Sequence, residues 1–117
     1  MIKNNTFLNK FFNKSNKNNK TSKIDFTVIT SVYNCEKYLD EYFEALVNQN
    51  LNFKENINLI LVDDGSNDSS LNIMNKWERL FPNNIEIIST TNNGQAIARN
   101  NALKKVTTDW VTFIDAD

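Results

Sequence analysis

The sequence has no histidine, one cysteine (Cys35), one proline (Pro82) and two glycines (Gly65 and Gly94). Each scarcity removes a class of chemistry. A lone cysteine excludes an internal disulfide and any multi-cysteine metal site. Without histidine, the usual zinc centres and every Ser-His or Cys-His nucleophile pair are excluded too. Metal chemistry would therefore use carboxylate oxygens, which favour Mg, Mn or Ca. Two isolated glycines form neither a Gly-x-x-x-x-Gly-Lys-Ser/Thr phosphate loop nor a Gly-x-Gly-x-x-Gly turn. A P-loop NTPase and an ordinary dinucleotide-binding domain are both disfavoured. No apolar run is long enough to span a bilayer. The N-terminus has neither the apolar region nor the cleavage site of a signal peptide. A cytoplasmic location is expected, with the inner face of the membrane as an alternative.

The 117 residues suffice for one domain, and 40% hydrophobic with 11% aromatic residues can build a packed core. The net charge of -1 conceals an asymmetry. Residues 1–23 hold six lysines and no acid, whereas residues 24–117 hold seven basic and fourteen acidic residues. So acidic a body argues against a nucleic-acid partner and suits a pocket that holds a cation. The Asn/Lys-rich segment 1–23 reads as a disordered leader. Its Phe7, Leu8, Phe11 and Phe12, with Lys10 and Lys14, also fit a short amphipathic helix for peripheral contact with an anionic membrane or a partner.

From residue 24 onward the pattern is regular. Strands are expected at 26–30, 57–62, 85–88 and 110–114, and helices at 36–49, 69–81 and 95–106. Asn34 is placed to cap the first helix. Its inward stripe is Leu39, Phe43, Leu46 and Val47. The second helix would bury Ile73, Trp77, Leu80 and Phe81, and Pro82 would end it. The third would bury Ala98, Ala102, Leu103 and Val106. Both tryptophans read as core. Strict alternation of strand and helix predicts an α/β fold, a mostly parallel sheet with helices on both faces. Ligands of such sheets bind outside the carboxyl ends of the strands.

Polar and acidic residues collect at those ends: Ser31–Asn34, Asp63–Asp68, Asn92–Gly94 and Asp115–Asp117. Asp63 reads as a loop anchor, Asp68 as a helix start and Cys35 as an inert residue there. Tyr33 reads either as loop packing or as a ligand-facing ring. Two acids directly after a buried strand, Asp115 and Asp117, repel one another unless a cation or hydrogen bonds compensate.

In order along the chain, VITSVYN (28–34), LVDDGSND (61–68), NNG (92–94), ARN (98–100) and FIDAD (113–117) resemble the family-2 type of inverting glycosyltransferase with the GT-A fold. Two positions depart from the family pattern: Ser31 replaces a proline, and Ala102 stands where glycine is usual. The resemblance implies a Rossmann-like GT-A half that binds a nucleotide sugar, a UDP-sugar above all. It implies transfer to a glycan or lipid-linked acceptor in polysaccharide biosynthesis. Substrate binding would fall to Ser31, Val32, Tyr33, Asp64, Arg99, Asp115 and Ala116. Tyr33 would lie on the base, Asp64 would accept a base N–H, Arg99 would meet phosphate or base, and Asp115 ribose or cation. Asp117, with Asp115, would hold Mn or Mg. In the family the acceptor half and the catalytic base follow the Asp-x-Asp, so the chain as written is expected to bind donor and transfer no sugar. Its fourth strand would leave Trp110, Val111, Phe113 and Ile114 partly uncovered, inviting a downstream half or an oligomer. A non-catalytic nucleotide-binding remnant or split-enzyme subunit is the alternative. A nucleotidyltransferase ranks behind both, for want of a Gly-rich loop after the first strand.

Overall fold

A computed structural model describes residues 26–49, 52–91 and 94–116, with the Gln95 side chain excepted. The expectations for the leader 1–23, for Asn92 and Asn93 and for Asp117 lie outside these residues. Among the described residues four strands form one wholly parallel sheet in the order β3-β2-β1-β4: β1 Phe26–Val32, β2 Ile57–Asp63, β3 Ile85–Ser89 and β4 Trp110–Phe113. In β1 and β2 nearly every residue is buried, as continuous β-branched and apolar runs require when both faces of a parallel sheet are covered.

The helices supply that cover. Helices α1 (Leu39–Val47) and α3 (Ser70–Leu80), with the short α2 (Phe53–Asn56), lie on one face. There Val28, Leu59 and Leu61 of the sheet meet Leu39, Phe43 and Leu46 of α1 and Met74 of α3. The Phe43 and Trp77 rings stack at 5.0 Å between centroids, which joins α1 to α3. The indole N–H of Trp77 and the ammonium of Lys76 both donate to Asp40 Oδ1, at 2.8 and 2.7 Å. Helix α4 (Gln95–Lys104) covers the other face, where Ala98 and Ala102 pack on Ile29, Ile60 and Val62. Because α4 links β3 to β4, the chain crosses the full width of the sheet. The strand order thus reverses between β1 and β4, and the crevice outside their carboxyl ends is where ligands of such sheets bind.

The structure corrects several expected details. Helix α1 starts at Leu39, after a turn over 36–38, and Asn34 does not cap it: the N-cap is Tyr38, whose side chain makes no capping bond. Helix α2 was not anticipated; Asn52 caps it by accepting from the Glu55 N–H at 3.2 Å. Leu80, the last residue of α3, is 59% exposed rather than part of the buried stripe. Leu103, next to the buried Ala102, is exposed because the inward face of α4 is made of the small residues Ala98 and Ala102. Trp110 is 54% exposed rather than core, since β4 is an edge strand and α4 packs on β1, β2 and β3. Val111 and Phe113 are uncovered with it, but Ile114 is buried and its N–H donates to the Ile29 carbonyl at 3.1 Å. No helix among the described residues is long and apolar enough to cross a membrane.

Candidate functional site

Side chains gather at the carboxyl edge because each strand ends in a polar loop. At the end of β2, Asp63 is buried and holds its own loop: its carboxylate accepts the Ser66 N–H at 3.3 Å, and its carbonyl accepts the Thr90 N–H at 2.8 Å. This is the anchoring role expected of it. Asp64 differs. Its N–H donates to the Val32 carbonyl at 2.9 Å, and the residue is only 8% exposed. Yet its Oδ1 atom is buried without a hydrogen-bond partner. A buried carboxylate oxygen left unsatisfied costs stability unless something else supplies a donor. Gly65 follows with φ 79°, a left-handed turn that a Cβ would oppose.

At the end of β1, Tyr33 stands 44% exposed beside this loop. The next residue, Asn34, has φ 51°, the one positive φ among the described residues other than glycine. Six hydrogen bonds then cross between the β1 and β2 loops. Asn34 Oδ1 accepts from the amides of Asn67 at 2.7 Å and Asp68 at 3.3 Å, and Asn34 N–H donates to Ser66 Oγ at 3.0 Å. Cys35 N–H donates to Ser70 Oγ at 2.8 Å, Glu36 N–H to Asp68 Oδ2 at 3.2 Å, and Ser69 N–H to Glu36 Oε1 at 2.7 Å. Asp68 also accepts the Ser70 N–H at 2.8 Å, the helix-start role expected of it. Slight burial pushes the Asp68 carboxyl up, but hydrogen bonds from Ser70 and from backbone amides outweigh it and hold the group below its ordinary value.

A second cluster forms where the strand order reverses. Ile29, Ser31, Arg99, Phe113, Ile114 and Asp115 line an open cleft of about 210 Å³. Arg99 reaches from α4 to donate to Ser31 Oγ at 3.3 Å, and its guanidinium lies 5.9 Å from the centre of the Phe113 ring. Asp115 is exposed at the end of β4. The structure thus brings Ser31, Arg99 and Asp115 together and sets Tyr33 and Asp64 at the neighbouring strand ends. Val32 and Ala116 are each 1% exposed and turn their side chains into the core, so only their backbone reaches this edge.

Among the described residues, no group of three or more His, Cys, Asp or Glu could hold a metal ion. Asp115 is the one carboxylate among the described residues that line the cleft. Such a donor set fits a hard cation held by one or two carboxylates and completed by substrate phosphates, but not an all-protein cage. Two contributors escaped the sequence reading. In the sequence Asn34 reads as a helix cap, although its tolerance of a left-handed backbone is a usable signal. Phe113 was counted as a strand residue, and no pattern in the sequence pairs it with Arg99.

The sequence profile of the family described as "Glycosyl transferase family 2" matches residues 27–117, and the chain belongs to that family. It is 45% identical over 94 residues to the minor teichoic acid biosynthesis protein GgaA of Bacillus subtilis, covering 79% of this chain and 21% of that protein. It is 34% identical over 92 residues to the poly(ribitol-phosphate) beta-N-acetylglucosaminyltransferase TarS of Staphylococcus aureus, covering 79% of this chain and 16% of TarS. The chain therefore spans about a fifth or less of the length of these relatives. A crystal structure of TarS residues 1–349 matches with TM-score 0.70 and 34% identity, over 80% of this chain and 28% of that one. TarS has also been solved with UDP and with UDP-GlcNAc. The mannosyltransferase PcManGT of Pyrobaculum calidifontis, in complex with GDP-Man and Mn2+, matches with TM-score 0.68 over 97% of this chain and 35% of its own. At 22% identity that likeness bears on the fold alone.

Proposed function

We propose that this member of glycosyl transferase family 2 binds a UDP-sugar across the carboxyl ends of β1, β2 and β4, for transfer of the sugar to an acceptor hydroxyl. The acceptor class is a glycan or a lipid-linked polymer. The observation that carries the reading is the buried Asp64 carboxylate, whose Oδ1 has no partner. A buried acceptor at the carboxyl end of β2, left without a donor, suits the ring N–H of a uracil. Tyr33, half exposed one loop away, offers a face for the same base. TarS, by name a poly(ribitol-phosphate) beta-N-acetylglucosaminyltransferase, was crystallised with UDP-GlcNAc, which supports the choice of donor; GgaA, by name a minor teichoic acid biosynthesis protein, supports the acceptor class. A non-catalytic remnant is not favoured by a family of transferases.

Each residue at the cleft has a task in this reading. Arg99, held against Ser31 and the Phe113 ring, presents a fixed cation to the diphosphate. Ser31 steadies that guanidinium. Asp115, with Asp117, would hold Mn or Mg against the phosphates. A bound divalent cation supplies charge to the leaving diphosphate as the glycosidic phosphate bond breaks. The buried Val32 and Ala116 act through their backbone, by keeping the strand ends in place.

Titration with nucleotide sugars by calorimetry tests the reading. UDP and UDP-sugars should bind in the presence of Mn or Mg, with ADP distinctly weaker. Absence of heat for every nucleoside diphosphate, or indifference to the base, would refute it.

A further inference from the structure

The two residues read as base contacts sit on different loops, so their spacing must be fixed by something other than either loop. We propose that Asn34 is a positioning residue for the nucleotide site, the hub of a hydrogen-bond clasp that holds Tyr33 against Asp64. The inference rests on the reading of Tyr33 and Asp64 as nucleotide contacts.

The clasp brackets both residues. On one side the Asp64 N–H donates to the Val32 carbonyl at 2.9 Å; on the other the Asn34 N–H donates to Ser66 Oγ at 3.0 Å. Tyr33 lies between Val32 and Asn34, and Gly65 between Asp64 and Ser66. The two short segments are thus cross-linked on either side of Tyr33, at Asp64 itself and at Ser66 two residues beyond it. Asn34 holds the outer link in two ways, since its side-chain oxygen also accepts from the Asn67 and Asp68 amides. It does so from a left-handed backbone at φ 51°, a conformation disfavoured for most residues and tolerated by Asn, Asp and Gly. Such a conformation persists where surrounding contacts over-determine it. Here it turns the chain directly after Tyr33 and carries the amide across to the second loop. An ordinary helix cap would instead bond the first turn of α1, and Asn34 does not. Since the bonds at Asn34 are exposed, their effect on global stability is small. What they set is the relative placement of two ligand-facing groups, on which binding depends steeply.

The test is UDP affinity by calorimetry in the full chain, with melting temperature as a second readout. Asn34→Gly permits the left-handed backbone and deletes the side-chain acceptor. We expect its UDP dissociation constant to rise about tenfold with little change in melting. Asn34→Asp keeps an acceptor and the backbone preference, and should stay within about threefold of the parent. In an Asp64→Ala background, where one of the positioned groups is gone, Asn34→Gly should cost less than about twofold more. Should Asn34→Gly lose its cooperative melt, Ser66→Ala removes the acceptor for the Asn34 N–H and carries the same comparison. Unchanged affinity in Asn34→Gly, or an equal loss with and without Asp64, overturns the positioning role. If parent and Asp64→Ala bind UDP equally, the nucleotide reading fails and the role of Asn34 falls with it. A loss in Asp64→Ala with none in Asn34→Gly overturns the positioning role alone.

Discussion

The N–H of Asp64 donates to the carbonyl of Val32 at 2.9 Å, one residue past Val32↔Asp63, the last pair of the β1–β2 ladder. That bond fixes the backbone of Asp64 to the sheet while its Oδ1 atom remains unpartnered. A rigid backbone beneath an unsatisfied carboxylate is what a preformed acceptor for a ligand N–H requires.

Tyr33 should contribute through its ring. At 44% exposure it adds little to the core, so Tyr33→Ala should melt with the parent. Loss of a stacking face costs about 1–3 kcal/mol per base, so UDP affinity should drop by tenfold or so while Tyr33→Trp retains it. Isothermal titration of the three proteins with UDP checks this. Equal affinities would place the base elsewhere.

Cation dependence should follow the diphosphate and not the nucleoside. With excess chelator, UDP binding should weaken markedly and uridine binding should hold. Asp115→Ala should reduce the difference that Mn makes to UDP. Calorimetry with and without Mn measures both. Identical UDP affinity in Mn and in chelator would contradict a metal-bridged donor.

The sequence carried the fold because each strand is a short β-branched or apolar run, such as Ile57–Asp63, followed by a stretch of helical period. It also placed Ser31, Tyr33, Asp64 and Asp115 at strand ends, since those residues directly follow or close the apolar runs. What it did not carry is lateral position. Trp110 has the composition of a core residue and is exposed because β4 lies at the edge of the sheet, which periodicity within one strand does not encode. Leu103 failed similarly, as its neighbour Ala102 occupies the contact with the sheet. Asn34 reads as the cap of the first helix, but its side chain bonds a loop more than thirty residues away.

One pH effect follows from the core behind the site. The Tyr42 hydroxyl is fully buried and hydrogen-bonded to the buried Thr30 hydroxyl. Burial pushes its pKa up, and the hydrogen bond with Thr30 offsets this only in part. An unfolded tyrosine ionises near pH 10, where the folded one keeps its proton. The folded state then binds more protons, so this contribution is complete below about pH 10 and is lost as pH rises beyond it. Tyr42→Phe should cost about 1–3 kcal/mol at neutral pH, because the Thr30 hydroxyl is left buried without its partner. It should also flatten the fall in stability between about pH 10 and 11. Denaturant melts of both proteins at the two pH values check this, and parallel slopes would argue against it.

The most direct test of the account is UDP binding to the parent and to Asp64→Ala, by calorimetry in Mn at neutral pH. Removing a charged acceptor from a preformed pocket should weaken UDP by about 1.5–3 kcal/mol, roughly ten- to a hundredfold, with no loss of folded structure. The variant deletes a buried atom that has no internal partner, so its melting temperature should be unchanged or higher. Equal UDP affinity in the two proteins, with both folded, would contradict the assignment of this crevice to a nucleotide.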